Sequence, residues 1–137
     1  MMKRQYPNVR NVTIVSSISN KEHMERIFSE YKPDYVFHAA AYKHVPMMEH
    51  NPSEAILTNV FGTKNIADLS LKYNVDKFVM ISTDKAVNPT NIMGATKRIC
   101  EMIVQAKNKE SKTEFAAVRF GNVFLSLGRK AARRALV

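Results

Sequence analysis

The stretch KFVMISTDK, residues 77–85, decides the fold that we predict from this 137-residue sequence. Residues 77–82 contain the apolar run 78–81 (FVMI), which is typical of a strand that is buried on both faces, and residues 83–85 are polar. Similar apolar runs occur at residues 35–41 (YVFHAAA) and 115–120 (FAAVRF). Buried strands separated by helical patterns indicate a parallel sheet with right-handed crossover connections.

Before these runs the sequence predicts one more strand and a helix. Residues 12–15 (VTIV) form a short β-branched run, which favours a strand. Asn20 is expected to cap a helix over residues 21–31, which Pro33 ends. The apolar residues of this helix have the i, i+3, i+4, i+7 spacing of one buried face: Met24, Ile27, Phe28 and Tyr31.

Two further helices are predicted between the strands. One begins at Asn51 and ends near Tyr73; Pro52 takes its first helical position, and Glu54 is expected to complete a capping box with Asn51. The other extends from about residue 91 to 107. The resulting order, β-α-β-α-β-α-β, predicts a doubly wound α/β layer, in which ligands bind at the carboxyl ends of the strands.

The composition is that of a soluble globular domain, with 45% hydrophobic and 24% charged residues. No apolar run has the roughly 20 residues of a membrane helix, and residues 1–7 lack the apolar segment of a signal peptide. Cys100 is the only cysteine, which favours a reducing, cytoplasmic location. The histidines show no ligand spacing with it, so no metal site is predicted.

The formal charge of +9 is concentrated at the two ends of the chain. Residues 1–10 carry three basic and no acidic side chains, and residues 129–137 carry four basic and no acidic ones. Residues 11–128 hold fourteen basic and twelve acidic residues, which nearly balance. This distribution indicates solvated basic ends and does not favour a face that binds nucleic acid.

Polar residues follow the predicted strands at their carboxyl ends. Thr83, Asp84 and Lys85 place a hydroxyl, a carboxylate and an amine side by side, which is a set suited to proton transfer. On spacing alone, a surface turn with a weak ion pair explains them better. The charges of Asp84 and Lys85 favour the ionised form of each other.

Other candidates for a site are weaker. Met93 and Lys97 lie one turn apart on a helix face, although a core methionine beside a solvated lysine is the commoner arrangement. The small residues Ala39–Ala41 would let a flat ring or a phosphate approach the backbone, or would let a helix pack closely. Lys43 and His44 could contact a phosphate or a sugar.

Taken together, four stretches resemble one family, the CapD-type branch of the extended short-chain dehydrogenase/reductases: residues 32–49, 58–63, 81–97 and 119–123. Its members are nucleotide-sugar 4,6-dehydratases of bacterial polysaccharide biosynthesis. The resemblance extends from Val12 to Gly128. It predicts a basic N-terminal end (1–11), a partial NAD(P)-binding Rossmann-like catalytic domain (12–128) and a basic tail outside the family (129–137).

The resemblance implies a reaction on a UDP-N-acetylhexosamine. NAD(P)+ takes hydride from carbon 4, water leaves across carbons 5 and 6, and the hydride returns to carbon 6. By position, Thr83 would hydrogen-bond the carbon-4 oxygen, Asp84 would protonate the leaving hydroxyl and Lys85 would remove the carbon-5 proton. Lys97 would hold the nicotinamide ribose. The resemblance also implies a cofactor groove lined by Ala39, Ala40, Ala41, Tyr42, Lys43 and Asn59. It further implies contacts with the sugar nucleotide from His44, Glu49 and Asn122.

The sequence departs from this family pattern in several places. Met93 replaces the tyrosine of most reductases of the superfamily, as in one subgroup of the resembling family, and a thioether cannot exchange a proton. No G-x-x-G-x-x-G motif occurs, since the four glycines stand at 62, 94, 121 and 128. We therefore expect a partial Rossmann-type doubly wound sheet without the first βαβ unit or the C-terminal substrate region. Such a chain is expected to be inactive alone and to bind NAD or NADP only loosely.

In the strand order of such sheets, the absent strands separate the run 12–15 from the run 35–41. The first strand must then fray, pair elsewhere or pair with another chain, and the unpaired sheet edge could support a homo-oligomer. A sugar epimerase or reductase of the same fold is one alternative function. A non-catalytic fragment or interaction module is another. Some full-length relatives carry membrane helices at their N-terminus.

Overall fold

The computed structural model describes residues 8–109 and 111–121. Within them, three parallel strands form one sheet in the order β1-β2-β3: Tyr35–His38, Lys77–Thr83 and Glu114–Phe120. The central strand β2 pairs with β1 from Tyr35↔Lys77 onward and with β3 as far as Thr83↔Phe120. The predicted parallel α/β sheet is confirmed, and its register brings the carboxyl ends of β2 and β3 to the same edge.

Helices connect and cover the strands. They are α1 (Lys21–Tyr31), α2 (Val45–His50), α3 (Pro52–Ala55), α4 (Gly62–Lys72) and α5 (Ile92–Lys109). A π-helical turn, Ile56–Phe61, joins α3 to α4, and a 3₁₀ turn, Asp84–Ala86, follows β2. The three predicted helices are present, whereas α2 was not predicted.

The core lies against one face of β2. Phe78 and Met80 are fully buried there, while the residues of the opposite face are half-buried. The prediction of burial on both faces is wrong for β1, because Tyr35 is 60% and Phe37 is 74% exposed. Among the described residues β1 pairs only with β2, so it is an edge strand with one uncovered face.

The predicted strand at residues 12–15 is wrong. These residues have no regular secondary structure, and Val15 is 93% exposed. An isolated extended segment has no ladder partner for its backbone N–H and C=O groups, so β-branched residues alone do not make it a strand. The segment pairs with no strand in the part of the chain that the structure describes, and pairing with another chain or association through the sheet edge stays a prediction.

Local capping signals were more reliable in α1 than in α3. Asn20 Oδ1 accepts a hydrogen bond from the backbone N–H of His23 at 3.0 Å, as predicted. The capping box of Asn51 and Glu54 is wrong, because the Asn51 amide instead donates to the carbonyl of Met47 at 2.9 Å. Tyr31 is also not part of the buried face of α1, being 42% exposed.

Gly94 sets how closely α5 approaches the turn after β2. A Cβ atom at this position would lie 2.5 Å from the carbonyl oxygen of Lys85 and 3.3 Å from Asn91 Oδ1. The Asn91 side chain accepts from the Gly94 N–H at 2.7 Å, so this first turn of α5 cannot easily move away. Glycine is therefore required here by the close approach of two backbone segments.

We expect Gly94→Ala to destabilise the protein by about 1–3 kcal/mol, because the new methyl group contacts rigid backbone. Gly62→Ala is the matched control. It is also in a helix, but the atoms nearest to its Cβ would be Cδ1 and Cγ1 of the Ile18 side chain, at 2.6 and 2.7 Å, and a side chain can move more easily than backbone. Denaturant unfolding measures both, and a Gly94→Ala protein as stable as Gly62→Ala would contradict the close-approach argument.

Candidate active site

A cleft of about 530 Å³ opens at the carboxyl ends of the strands. Its walls come from the loop after β1, the end of β2 with the turn that follows, the first turns of α5, and the end of β3. The lining residues are Ala39, Ala41, Lys43, Ile81, Ser82, Thr83, Lys85, Met93, Lys97, Phe120 and Gly121. The register of the parallel strands thus gathers residues from four separate parts of the chain.

Thr83, Asp84 and Lys85 form a connected group at the rim of this cleft. The Thr83 hydroxyl donates to Asp84 Oδ1 at 2.9 Å, and Lys85 Nζ lies 3.5 Å from the same oxygen. The hydroxyl of Thr83, and then the charge of Lys85, lower the pKa of Asp84. The exposure of this turn agrees with the interpretation as a surface turn with a weak ion pair. The turn nevertheless lies at the rim of a cleft.

Lys97 and Met93 form the opposite wall. Lys97 is only 5% exposed, and its Nζ donates to the carbonyl of Ile81 at 2.7 Å. Burial lowers the pKa of Lys97, while the nearby Cys100 and Glu101 oppose the shift. Met93 is buried and also packs in a small cluster with Met48 and Ala55. The expected solvated lysine is therefore wrong: Lys97 is a buried amine on the cleft wall.

Asn59 holds the loop that carries Ala39–Ala41. Its Oδ1 accepts from the backbone N–H of Tyr42 at 2.7 Å, and its amide donates to the Tyr42 carbonyl at 3.1 Å and to Thr96 Oγ1 at 3.0 Å. Asn59 is 1% exposed and is not among the lining residues of the cleft. The structure gives it a contact with the loop instead of a free amide, so a direct cofactor contact stays a prediction.

The other predicted site residues are distributed around the cleft. Tyr42 and His44 line a neighbouring cavity of about 480 Å³, which shares Ala41 and Lys43 with the cleft. Ala40 faces a groove on the far side of β1. Glu49 Oε1 accepts from the backbone N–H of Ile92 at 2.6 Å and so caps α5. Asn122 and the tail 129–137 lie outside the described residues.

Sequence reasoning missed a buried carboxylate beneath the cleft. Glu101, which is 1% exposed, accepts hydrogen bonds from Ser82, Arg98 and Arg119. Arg119, helped by Ser82 and Arg98, lowers the pKa of Glu101 to about 2. The available signal was an acidic residue one position after Cys100, on the apolar face of a helix.

His38 lies at the end of β1, below the cleft loop. It is 4% exposed, and its Nε2 is 2.8 Å from Thr63 Oγ1. Burial, and then the charge of Lys97, lower the pKa of His38 to about 4. The imidazole is therefore neutral near pH 7.

Across residues 8–109 and 111–121, no cluster of three or more histidine, cysteine, aspartate or glutamate side chains could hold a metal ion. In the same part of the chain, no helix is both long and apolar enough to cross a membrane.

A family model described as Polysaccharide biosynthesis protein matches residues 1–129. The chain is 54% identical over 129 residues to the capsular polysaccharide biosynthesis protein CapD of Staphylococcus aureus, covering 93% of this chain and 22% of CapD. It is 39% identical over 117 residues to a UDP-N-acetylglucosamine 4,6-dehydratase (inverting) of Campylobacter jejuni, covering 83% and 34% of the two chains. The chain thus spans about a fifth to a third of the length of these relatives.

Solved structures share the fold. Pen from Bacillus thuringiensis is 36% identical with a TM-score of 0.79, over 93% of this chain and 40% of that one. The UDP-glucose 4-epimerase of Thermotoga maritima, solved with UDP-glucose, is 31% identical with a TM-score of 0.73, over 76% and 39%. These likenesses confirm the predicted Rossmann-type α/β fold, of which this chain matches a part.

The buried neutral His38 predicts a specific loss of stability in acid. Its pKa is below the ordinary 6.5 only in the folded state, so the unfolded state binds a proton more readily between pH 6.5 and about 4. Stability should fall by about 2–3 kcal/mol as pH falls through this window.

In His38→Gln this part of the pH dependence should disappear, as measured by urea unfolding at each pH. His50→Gln, which changes an exposed histidine, is the control and should retain it. An unchanged slope in His38→Gln would show that another group causes the loss.

Proposed function

The chain belongs to the polysaccharide biosynthesis protein family, and from this premise we propose that it supplies the catalytic cleft of a UDP-N-acetylhexosamine 4,6-dehydratase. The observation that carries the proposal is that Thr83, Lys85, Met93 and Lys97 line one cleft. The family resemblance assigned the catalytic roles to these residues and to Asp84, which adjoins them.

Thr83 and Asp84 are arranged to relay a proton. The Thr83 hydroxyl donates to Asp84, and its oxygen accepts from the backbone N–H of Lys85 at 3.4 Å. A hydroxyl oxygen has two lone pairs, so the second one could accept a hydrogen bond from the carbon-4 hydroxyl of a sugar. Loss of the carbon-4 hydroxyl proton to Thr83, with transfer of the Thr83 proton to Asp84, leaves Asp84 protonated. This relay replaces the base that Met93 cannot provide.

Asp84 and Lys85 then suit the loss of water. The carbon-4 ketone makes the carbon-5 proton acidic, and Lys85 Nζ, as the uncharged amine, would accept that proton. The carbon-6 hydroxyl leaves with the proton that Asp84 received from the relay, so the proton balance of the elimination is complete. The exposed side chains of both residues, 54% for Asp84 and 40% for Lys85, would let them approach a bound sugar.

The cleft residues fit the nicotinamide end of NAD or NADP. Ala39 and Ala41 present small side chains to the cleft, and the buried Lys97 presents an amine whose one described bond is to Ile81. Lys97 would bind the ribose hydroxyls and lend positive charge to the oxidation. When bound, the cofactor would supply hydride transfer at carbons 4 and 6. The 137 residues contain no glycine-rich loop for its pyrophosphate.

A UDP-sugar is the substrate class that the relatives support. The Campylobacter jejuni relative is named for UDP-N-acetylglucosamine, and the Thermotoga maritima structure was solved with UDP-glucose. The buried free thiol of Cys100 supports a reducing, cytoplasmic location.

Lys85→Ala tests the role of the base. We would replace the matched segment of the Campylobacter jejuni dehydratase with the corresponding residues of this chain and follow the 4-keto-6-deoxy product by NMR. The variant should lose about 10²–10⁴-fold in turnover, the usual contribution of a general base, while still binding the UDP-sugar.

Lys112→Ala, which removes an exposed lysine before β3, is the matched control and should keep full turnover. Retained turnover in Lys85→Ala would overturn its role as the base. An unmodified chimera that makes no 4-keto-6-deoxy sugar would contradict the proposed function.

A same-fold epimerase is the second candidate, favoured by the likeness to the Thermotoga maritima enzyme. Hydride transfer without elimination needs no acid and base pair at carbons 5 and 6, so the presence of Asp84 and Lys85 at the cleft favours the dehydratase. The chimera separates the two, since an epimerase would return a 4-epimer that keeps its carbon-6 hydroxyl.

For the 137-residue chain alone, we expect weak binding of NAD(P)+ and no turnover of UDP-N-acetylglucosamine. The reason is that its four glycines, at 62, 94, 121 and 128, do not form the G-x-x-G-x-x-G motif that holds a pyrophosphate at a helix N-terminus. Titration calorimetry with NAD+, NADP+ and the UDP-sugar measures binding. Tight binding, or detection of a 4-keto-6-deoxy product, would refute this expectation.

A further inference from the structure

Glu101 joins three elements beneath the cleft. Its Oε1 accepts from Ser82 Oγ on β2 and from Arg119 Nε on β3, both at 2.7 Å. Its Oε2 accepts from a second Arg119 nitrogen at 2.6 Å and from Arg98, on its own helix α5, at 3.1 Å. The carboxylate is thus bound by four donors, two of them in a bidentate arginine pair.

Each strand residue bound by Glu101 is adjacent to a residue of the cleft. Ser82 precedes Thr83, and Arg119 precedes Phe120. The strand register pairs Ser82 with Arg119, so Glu101 binds both residues of one rung of the ladder, and the last described rung, Thr83 with Phe120, follows directly. Beyond them the structure describes no further rung, and the backbone enters the Asp84–Ala86 turn.

One helical turn before Glu101, Lys97 makes a second link between α5 and β2. Its Nζ donates to Ile81, the residue before Ser82. Two successive residues of β2 are therefore bound by two residues of α5 with i, i+4 spacing. The ionisable groups that act on the Lys97 ammonium are Cys100 and Glu101 on α5 and His38 on β1.

We propose that Glu101 is a positioning residue, which fixes Thr83 and Lys97 relative to each other by tying the ends of β2 and β3 to α5. The significance of this placement rests on the proposed function, in which both residues act on one substrate. Glu101 itself contacts neither the cleft volume nor any reacting atom, so it acts only through its neighbours.

A purely structural ion pair is the alternative explanation. A buried carboxylate paired with arginine could stabilise the fold as a whole and have no local effect on the cleft. The two explanations differ in where the backbone loosens after the carboxylate is changed. Positioning predicts loosening at the cleft end of β2 and β3 only.

Glu101→Gln tests the proposal in the intact 137-residue chain. Hydrogen exchange followed by NMR should show the amides of Ser82, Thr83 and Phe120 exchanging about ten-fold faster or more, since local opening there needs less free energy. Exchange at Lys77–Val79, at the other end of β2, should be unchanged. The titration of the Lys97 side chain should also move to lower pH, because a neighbouring negative charge is lost.

Glu114→Gln is the matched control. It removes an exposed carboxylate that pairs with Lys77 at 3.0 Å, at the opposite end of the same two strands. This variant should leave Ser82, Thr83 and the Lys97 titration unchanged. Uniformly faster exchange along all of β2 in Glu101→Gln, or behaviour identical to Glu114→Gln, would overturn the proposal.

If Glu101→Gln does not fold, Ser82→Ala decides the question, because it removes one bond and keeps the pair with Arg119. Faster exchange limited to the backbone amides at positions 82 and 83 would support the positioning role, and unchanged exchange at these amides would overturn it. None of these measurements involves turnover. Hydrogen-exchange results that contradict the positioning role would therefore not contradict the proposed dehydratase function. An inactive chimera would contradict the dehydratase function but not the positioning role.

Discussion

The attachment of α5 to the carboxyl end of β2 is the interaction on which the rest of the structure depends. Lys97 binds the Ile81 carbonyl, Glu101 binds Ser82, and the missing side chain of Gly94 lets the helix start lie against the Lys85 carbonyl. These contacts set the distance between the two walls of the cleft. Because they involve buried polar groups with defined partners, they also fix the rotation of the helix about its axis.

This attachment explains how ordinary side chains become a site. Thr83, Asp84 and Lys85 alone would be an exposed turn, and Met93 alone would be a core residue. Across one cleft, the Thr83 hydroxyl, which already donates to the Asp84 carboxylate, and the exposed amine of Lys85 face the buried amine of Lys97. The Asn59 side chain likewise fixes the loop after β1, which forms another wall of the cleft, through hydrogen bonds to the backbone N–H and C=O of Tyr42.

Local sequence signals correctly predicted features that depend on nearby residues, such as helix starts and the buried face of a helix. The Asn20 cap, Pro52 at a helix start and the apolar spacing of Met24 and Phe28 all appear as expected, since each depends on residues within one or two turns. The errors share a different cause. Within residues 8–109 and 111–121, the run 12–15 has no neighbouring strand and no helix covers the face of Phe37, so hydrophobicity and β-branching were not sufficient to bury either.

By itself, the sequence determined the α/β class, the order of the three paired strands, the family and the polar residues that follow each strand. Only the tertiary structure decided that Lys97 is buried and that Glu101 lies beneath the cleft. It also decided that Asn59 binds a loop and Glu49 caps a helix. The reason is that backbone propensity and hydrophobic periodicity act over a few residues. The partner of a buried polar side chain is set by elements that meet only in the folded chain.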